Sequence, residues 1–323
     1  MDASAIAQIA EMLKIELTSR SAQAQFGIIG NTPEALEFIS LFLRYGASEQ
    51  LLGVYAETRN DGVEQGQVQR RNLADLIIDK PEVVLIASDE KKEDLLMAAL
   101  PFLEPTTRIL IAGFNHFKFR DPIFDRESAN SFVPSFANGY PNTLIHIFQC
   151  LKNAAHQDLK GVIAEFGMFK GGTTMLMSRF IEALGQTWKI YGFDTFDGFP
   201  EPRSPLDMYS HPDCVFLDLP AVLRLFEGRN VQVVPGDVVN TAQVLRDENV
   251  VLAFIDTDNY TSASSILDAI EDRVVPGGAI VFDHFTGRDR FLYTLGERIA
   301  AKRLLNNPSY FNLHDTGVFL RLK

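Results

Sequence analysis

Five short apolar runs, rich in β-branched residues and each containing or followed by an acid, constrain the fold of this chain more than any other feature: residues 161–166, 189–193, 231–234, 251–255 and 279–282. Runs that are apolar throughout, rather than alternating, suit strands buried on both faces, as in a parallel sheet covered by helices. The intervening segments supply those helices: TLIHIFQCLKNAA ahead of the first run, then one through Met177 and Leu184, one over Leu219 to Phe226 and one from Ser262 to Ile270. The alternation predicts a doubly wound, Rossmann-like α/β domain over 143–323, with GVFLRLK (317–323) as its last strand.

A shorter alternation precedes it. Ile6, Ile9, Leu13 and Leu17 recur at helical period, and FGIIG, LLGVYAE, PEVVLIAS and TRILIAGF read as strands separated by helical segments. These imply a smaller N-terminal α/β domain within residues 1–125. The stretch 126–142, RESANSFVPSFANGYPN, is rich in Ser, Asn, Pro and Gly, lacks periodicity and is read as the linker. A length of 323 residues accommodates two such domains.

Charge and composition narrow the partners. A net charge of −12 disfavours nonspecific attraction to nucleic-acid phosphate or anionic lipid, so neither nucleic acid nor membrane is expected. No run of eighteen uncharged apolar residues and no signal-peptide pattern occurs, and Cys150 and Cys214 fit no metal or disulfide spacing, which together suggest a cytoplasmic protein with reduced thiols. A homo-oligomer is the expectation for a soluble enzyme of this size.

Ligands of open α/β sheets bind beyond the carboxyl ends of the strands, where this chain is acidic. Glu165 and Gly167 end the first run, followed by Lys170-Gly171-Gly172-Thr173 entering a helix; Asp194, Asp237, Asp256 with Asp258, and Asp283 with His284 end the others. The glycine loop departs from GxGxxG, and Lys170 precedes its glycines, unlike the lysine of a phosphate loop. An acidic edge lacking a phosphate-binding cation suits a cationic nucleoside such as S-adenosylmethionine, with Asp194 placed for ribose hydroxyls. Asp256, Asp258, Asp283 and His284 converge as hard or borderline ligands for a divalent metal such as Mg²⁺ or Mn²⁺. Capping of the following helices is the alternative use of such strand-end aspartates.

The segments AEFGMFKGGTTMLM, YGFDTFDGFP, PGDVVNT, FIDTDNYTSASSILDAI and PGGAIVFDHF, in this order, resemble the metal-dependent macrocin O-methyltransferase family, which methylates sugar hydroxyls of natural products. The likeness covers about residues 140–323. It implies a class I S-adenosylmethionine methyltransferase fold and an S-adenosylmethionine site built by Glu165, Gly167, Gly171, Gly172, Thr173, Asp194, Asp237 and Asp256. Glu165 and Gly167 would face the amino-acid portion, Asp194 the ribose and Asp237 the adenine neighbourhood. It further implies Asp256, Asp283 and His284 as metal ligands, Asp258 as general base, and a small-molecule or glycan acceptor. The chain departs from the family at Asp283-His284, where two adjacent acids are usual; a histidine there favours Mn²⁺, Fe²⁺ or Zn²⁺ over Mg²⁺, or makes His284 itself the base.

Two other functions share these strand ends: an NAD-type oxidoreductase, with pyrophosphate at the Gly167 loop, and a noncatalytic binding protein on a methyltransferase-like fold. The proline-rich segment 200–214 reads as a lid or a passive loop, with Arg203, Tyr209 and His211 as candidates to touch an acceptor. In the N-terminal domain, GIIGNTPEA and Glu57 are weak nucleotide signals, Gly113 to Phe117 is a second place for a ligand, and a structural, oligomerising or acceptor-recognising role is expected.

Overall fold

The computed structural model describes residues 1–57, 68–117, 121–137, 139, 142–286 and 289–323. Two compact units divide it, Met1–Phe119 and Arg120–Lys323.

The first unit holds strands β1 (Phe26–Ile29), β2 (Leu51–Ala56), β3 (Arg70–Asn72), β4 (Val83–Ile86) and β5 (Arg108–Leu110) with helices α1 (Ala3–Ser19), α2 (Pro33–Arg44), α3 (Leu76–Asp79) and α4 (Lys92–Ala99). The strands are all parallel in the order β3-β2-β1-β4-β5. The central pair β1 and β4 is buried at every residue, which is why both read as unbroken apolar runs. Of the expected stripe on α1, Ile9 and Leu13 are fully buried, while Ile6 and Leu17 pack at its margin. The edge strand β3, Arg-Arg-Asn, has no apolar residue and so no signal in the sequence.

In the second unit, helices α5 (Pro122–Ala129), α6 (Thr143–His156), α7 (Gly172–Ala183), α8 (Leu219–Leu225), α9 (Val238–Thr241), α10 (Tyr260–Ile270) and α11 (Leu295–Leu305) accompany seven strands. These are β6 (Val162–Phe166), β7 (Lys189–Asp194), β8 (Val231–Pro235), β9 (Val250–Ile255), β10 (Val274–Phe282), β11 (Tyr310–Asn312) and β12 (Val318–Arg321), in the order β11-β12-β10-β9-β6-β7-β8. Strands β6 to β10 are parallel, and β12 enters antiparallel between β10 and β11. This is the doubly wound sheet expected, with the topological switch between β6 and β9. Aromatic pairs run through its largely aliphatic core: Phe166 stacks on Phe193 at 4.7 Å, and Phe282 meets Phe319 edge-on at 5.7 Å.

The stretch read as a structureless linker begins inside a helix. Asp121 caps α5 through the N–H groups of Ile123 and Phe124, and Phe124 packs on Phe148 of α6 (5.5 Å) and Phe180 of α7 (5.6 Å). At eight residues α5 is too short for its periodicity to show; Asn138, Tyr140 and Pro141 of the same stretch lie outside the described residues. Among the described residues no helix is long and apolar enough to cross a membrane, and Cys150 and Cys214 are both free thiols.

Candidate functional site

Where β6 and β9 part company, their carboxyl ends border a cavity of about 450 Å³. Gly167, Asp194, Asp237, Asp256, Thr257, Asp258 and His284 line it from the strand ends, and Phe136, Phe169, Phe199 and Tyr209 from the loops above. The strand-end loops touch one another here. Gly167 has φ +91°, and a Cβ on it would lie 2.0 Å from the carbonyl oxygen of Asp256, so the close approach of β6 to β9 requires glycine.

The residues expected at the cofactor edge separate into two groups. Gly167, Asp194, Asp237 and Asp256 are in the cavity wall; Glu165, Gly171, Gly172 and Thr173 are not. Glu165 is 1% exposed and accepts a hydrogen bond from the Thr174 hydroxyl; burial, with the charge of Asp194 adding to it, pushes its carboxyl up to about 8. Thr173 bonds the Ser135 hydroxyl at 2.7 Å instead of facing the cavity. Asp194 shapes the wall it lies in, accepting from the N–H of Phe169 (2.8 Å) and of Phe196 (2.7 Å). Burial raises its pKa and those donors oppose the rise. Asp237 caps α9 through the Val239 N–H (3.0 Å) and pairs with Arg203 at 2.5 Å.

The ends of β9 and β10 bring three ligating side chains together. His284 Nε2 lies 2.9 Å from Asp258 Oδ1 and 3.3 Å from Asp256 Oδ1, and these ligand atoms all fall within 4.8 Å of one another. Burial alone would lower the imidazole pKa, but Asp256 and Asp258 outweigh it and push it up to about 12. Asp256, buried and facing the charge of Asp283, is raised well above the ordinary carboxylate range. Two carboxylates and an imidazole fit a divalent ion of the Mn²⁺, Fe²⁺ or Zn²⁺ kind better than Mg²⁺. Asp283 stands at the margin of this group: Oδ2 is 3.6 Å from His284 Nε2, while Oδ1 accepts from the Gly139 N–H at 2.9 Å.

The proline-rich segment 200–214 is tied down along its middle. Asp207 accepts from the N–H groups of Arg203 and Ser204 and from both the N–H and the hydroxyl of Thr261 at the start of α10. Asn259 holds Tyr209 in both directions, accepting from its N–H and donating to its carbonyl, each at 2.9 Å. Tyr209, Asp213 and Cys214 thereby reach the cavity wall, whereas Arg203 and His211 do not line it. Burial pushes the Cys214 thiol up to about 11.

Sequence reasoning missed Glu297. This α11 side chain is fully buried, and its carboxylate accepts from the main-chain N–H of Thr257, Asp258 and His284. Its partners are backbone groups of other elements, which leave no pattern in the sequence.

In the first unit the corresponding sheet edge is occupied by its own side chains. Buried Lys92 bonds Asp89 (2.8 Å) and the carbonyls of Ala112 (3.3 Å) and Gly113 (2.8 Å), and Asn115 donates to Asp89 through its side chain at 2.7 Å. Asn72 donates to the Glu57 carbonyl at 3.0 Å.

Comparison with known proteins matches residues 134–321 to the macrocin-O-methyltransferase (TylF) family. A curated relative, the 8-demethyl-8-(2,3-dimethoxy-alpha-L-rhamnosyl)-tetracenomycin-C 4'-O-methyltransferase of Streptomyces olivaceus, is 23% identical over 149 residues, 42% of this chain and 57% of the relative. The match thus spans little more than half of that relative's length. Among solved structures, the O-methyltransferase NovP is 19% identical over 56% of this chain and 79% of its own, with a TM-score of 0.47. The calicheamicin methyltransferase CalS11 is 21% identical over 65% of this chain and 96% of its own, with a TM-score of 0.45. With more than half of its length matched by that family's model, and the strand-end acids in place around one cavity, the chain belongs to the macrocin O-methyltransferase family.

Proposed function

We propose that this protein transfers a methyl group from S-adenosylmethionine to a hydroxyl of a sugar-bearing natural product, assisted by a divalent metal. The observation that carries this reading is the placement of Asp194 and of the Asp256–Asp258–His284 group in the wall of one cavity at the switch point of the sheet. Family membership supports the chemistry. A ring of aromatic side chains, Phe136, Phe169, Phe199 and Tyr209, supports an acceptor with flat apolar faces and hydroxyl edges, as in a glycoside.

S-adenosylmethionine supplies an electrophilic methyl on a sulfonium, which the acidic wall attracts. Asp194 would accept from the ribose hydroxyls. Asp256, Asp258 and His284 would hold a divalent ion, which would supply Lewis acidity to lower the pKa of the acceptor hydroxyl. With its Nε2 turned to Asp256 and Asp258 and engaged by an ion when one is bound, His284 has no free nitrogen there to take a proton, so the role of proton acceptor falls to the carboxylate of Asp258. The oxygen–methyl bond forms as the sulfur–methyl bond breaks, and the hydroxyl proton passes to Asp258. Most of the acceleration comes from holding oxygen, methyl and sulfur in line.

Calorimetric titration with S-adenosylmethionine, S-adenosylhomocysteine and NAD, each with and without Mn²⁺, followed by transfer of radiolabelled methyl to a panel of glycosides, tests the proposal. Micromolar binding of the first two ligands and label in a glycoside are expected. Binding of NAD alone, or binding of S-adenosylmethionine with no transfer to any glycoside, overturns it in favour of an oxidoreductase or a noncatalytic module.

A further inference from the structure

Asp258 and His284 lie on loops that follow two different strands, yet the distance between their side chains is 2.9 Å. Something must hold the two loops in register. Side-chain pairing alone is a poor clamp, because each side chain can rotate away when a ligand enters.

Main-chain hydrogen bonds from a third element supply the clamp. Glu297 Oε2 accepts from the N–H of Thr257 and of Asp258, each at 2.9 Å, and Oε1 accepts from the N–H of His284 at 3.0 Å. One carboxylate, 0% exposed, thus spans the loops after β9 and β10. The approach of α11 that allows this is close: a Cβ on the neighbouring Gly296 would lie 2.2 Å from the Leu206 carbonyl oxygen and 2.8 Å from the Tyr260 nitrogen. Asp258 has φ +61°, a left-handed conformation unfavourable for a non-glycine residue, and its N–H is one of the three donors. The strained residue is therefore fixed at its own main chain by Glu297.

We infer that Glu297 is a positioning residue of the site: its carboxylate, through three main-chain hydrogen bonds, sets the relative placement of Asp258 and His284 for metal binding and proton transfer. The inference rests on the methyl-transfer reading for what the pair does, and on the hydrogen bonds alone for how the pair is held. Three main-chain N–H groups need an accepting oxygen on both arms of the carboxyl, so an amide at this position cannot replace it. Glutamine has one accepting oxygen; its NH₂ would confront either the His284 N–H or the two donors of the β9 loop.

The test compares Glu297→Gln and Glu297→Asp with the wild type. Residues that orient metal ligands contribute 10–100-fold, so Glu297→Gln is expected to weaken Mn²⁺ binding, read by electron paramagnetic resonance, and to lower kcat, each by about 10- to 100-fold. The affinity for S-adenosylhomocysteine and the acceptor KM should stay near wild type, and Glu297→Asp, which keeps both accepting oxygens, should recover part of both losses. Unchanged Mn²⁺ affinity and kcat in a folded Glu297→Gln protein overturn the inference. If that variant does not fold, native-state hydrogen exchange on the wild type decides: the amides of Thr257, Asp258 and His284 should open as one unit, and protection factors that differ by more than about tenfold overturn it. A wild type that binds no Mn²⁺ and methylates nothing ends the methyl-transfer reading, while the exchange experiment still decides what Glu297 holds.

Discussion

Asp207, midway along a proline-rich loop, accepts hydrogen bonds from both the N–H (2.8 Å) and the hydroxyl (2.7 Å) of Thr261, 54 residues further on. Thr261 lies in the first turn of α10, three residues after Asp258, so these hydrogen bonds tie the loop over the cavity to the segment bearing the proposed proton acceptor.

Replacing Asp207 by Ala frees the loop. The carboxylate holds four donors, so the variant should lose about 2 kcal/mol of stability in urea denaturation. The acceptor KM should rise at least tenfold while S-adenosylhomocysteine affinity holds. An unchanged KM would show that the acceptor does not depend on this loop.

Asp258→Asn removes the proposed proton acceptor while preserving shape. General-base contributions of about 10²- to 10⁴-fold set the expected fall in kcat. S-adenosylhomocysteine binding by calorimetry should stay within a factor of about two, since Asp258 is not the residue assigned to the ribose; a wild-type kcat in this variant moves the base elsewhere.

Metal binding should release a proton. His284 holds its proton against a pKa pushed up to about 12, and a ligating imidazole nitrogen must be bare. Mn²⁺ affinity should accordingly rise with pH, and calorimetry in buffers of different ionisation enthalpy should report close to one proton released per ion. Heats that do not vary with buffer would mean that His284 is not a ligand.

Glu165 predicts a pH-dependent stability. Its ordinary value of 4.5 rises to about 8 in the folded protein, so the native state keeps a proton that the unfolded chain gives up between those values. That contribution is fully present below pH 4.5 and is lost as pH rises towards 8, at about 1.4 kcal/mol per pH unit at most. Chemical denaturation at intervals from pH 5 to 8 should show a slope that Glu165→Gln flattens; an equal slope in both proteins removes Glu165 as its source.

The legible part of this fold is what burial writes into composition. Strands such as β6 and β9, covered on both faces, are apolar at nearly every position, and the acids that follow them mark the ligand edge. The edge strands β5 and β8 still carry apolar runs and could be read, but the other two edges could not: β3 is Arg-Arg-Asn and β11 Tyr-Phe-Asn, each three residues long and paired on one side only. At the site, Asp194, Asp256, Asp258 and His284 could be read because side chains projecting from strand ends share one place. The turning away of Glu165 and Thr173 depends on a hydroxyl from α7 and another from Ser135, and Glu297 depends on main-chain donors. Neither kind of partner shows in a sequence pattern.

Strand β12 lies between β10 and β11, although β11 is synthesised first. Until β12 inserts, β10 presents an unpaired row of N–H and carbonyl groups, and β11 has no neighbour in the sheet. Its pairing joins Ala279 to Leu320 and Val281 to Val318, a long loop to close before the sheet is complete. A chain whose β12 is unpaired leaves the strand leading to Asp283 and His284 as an open edge, able to pair with another chain. Substitutions in β12 should be scored by soluble yield before turnover, since they act on how many molecules reach the native sheet rather than on the chemistry of those that do.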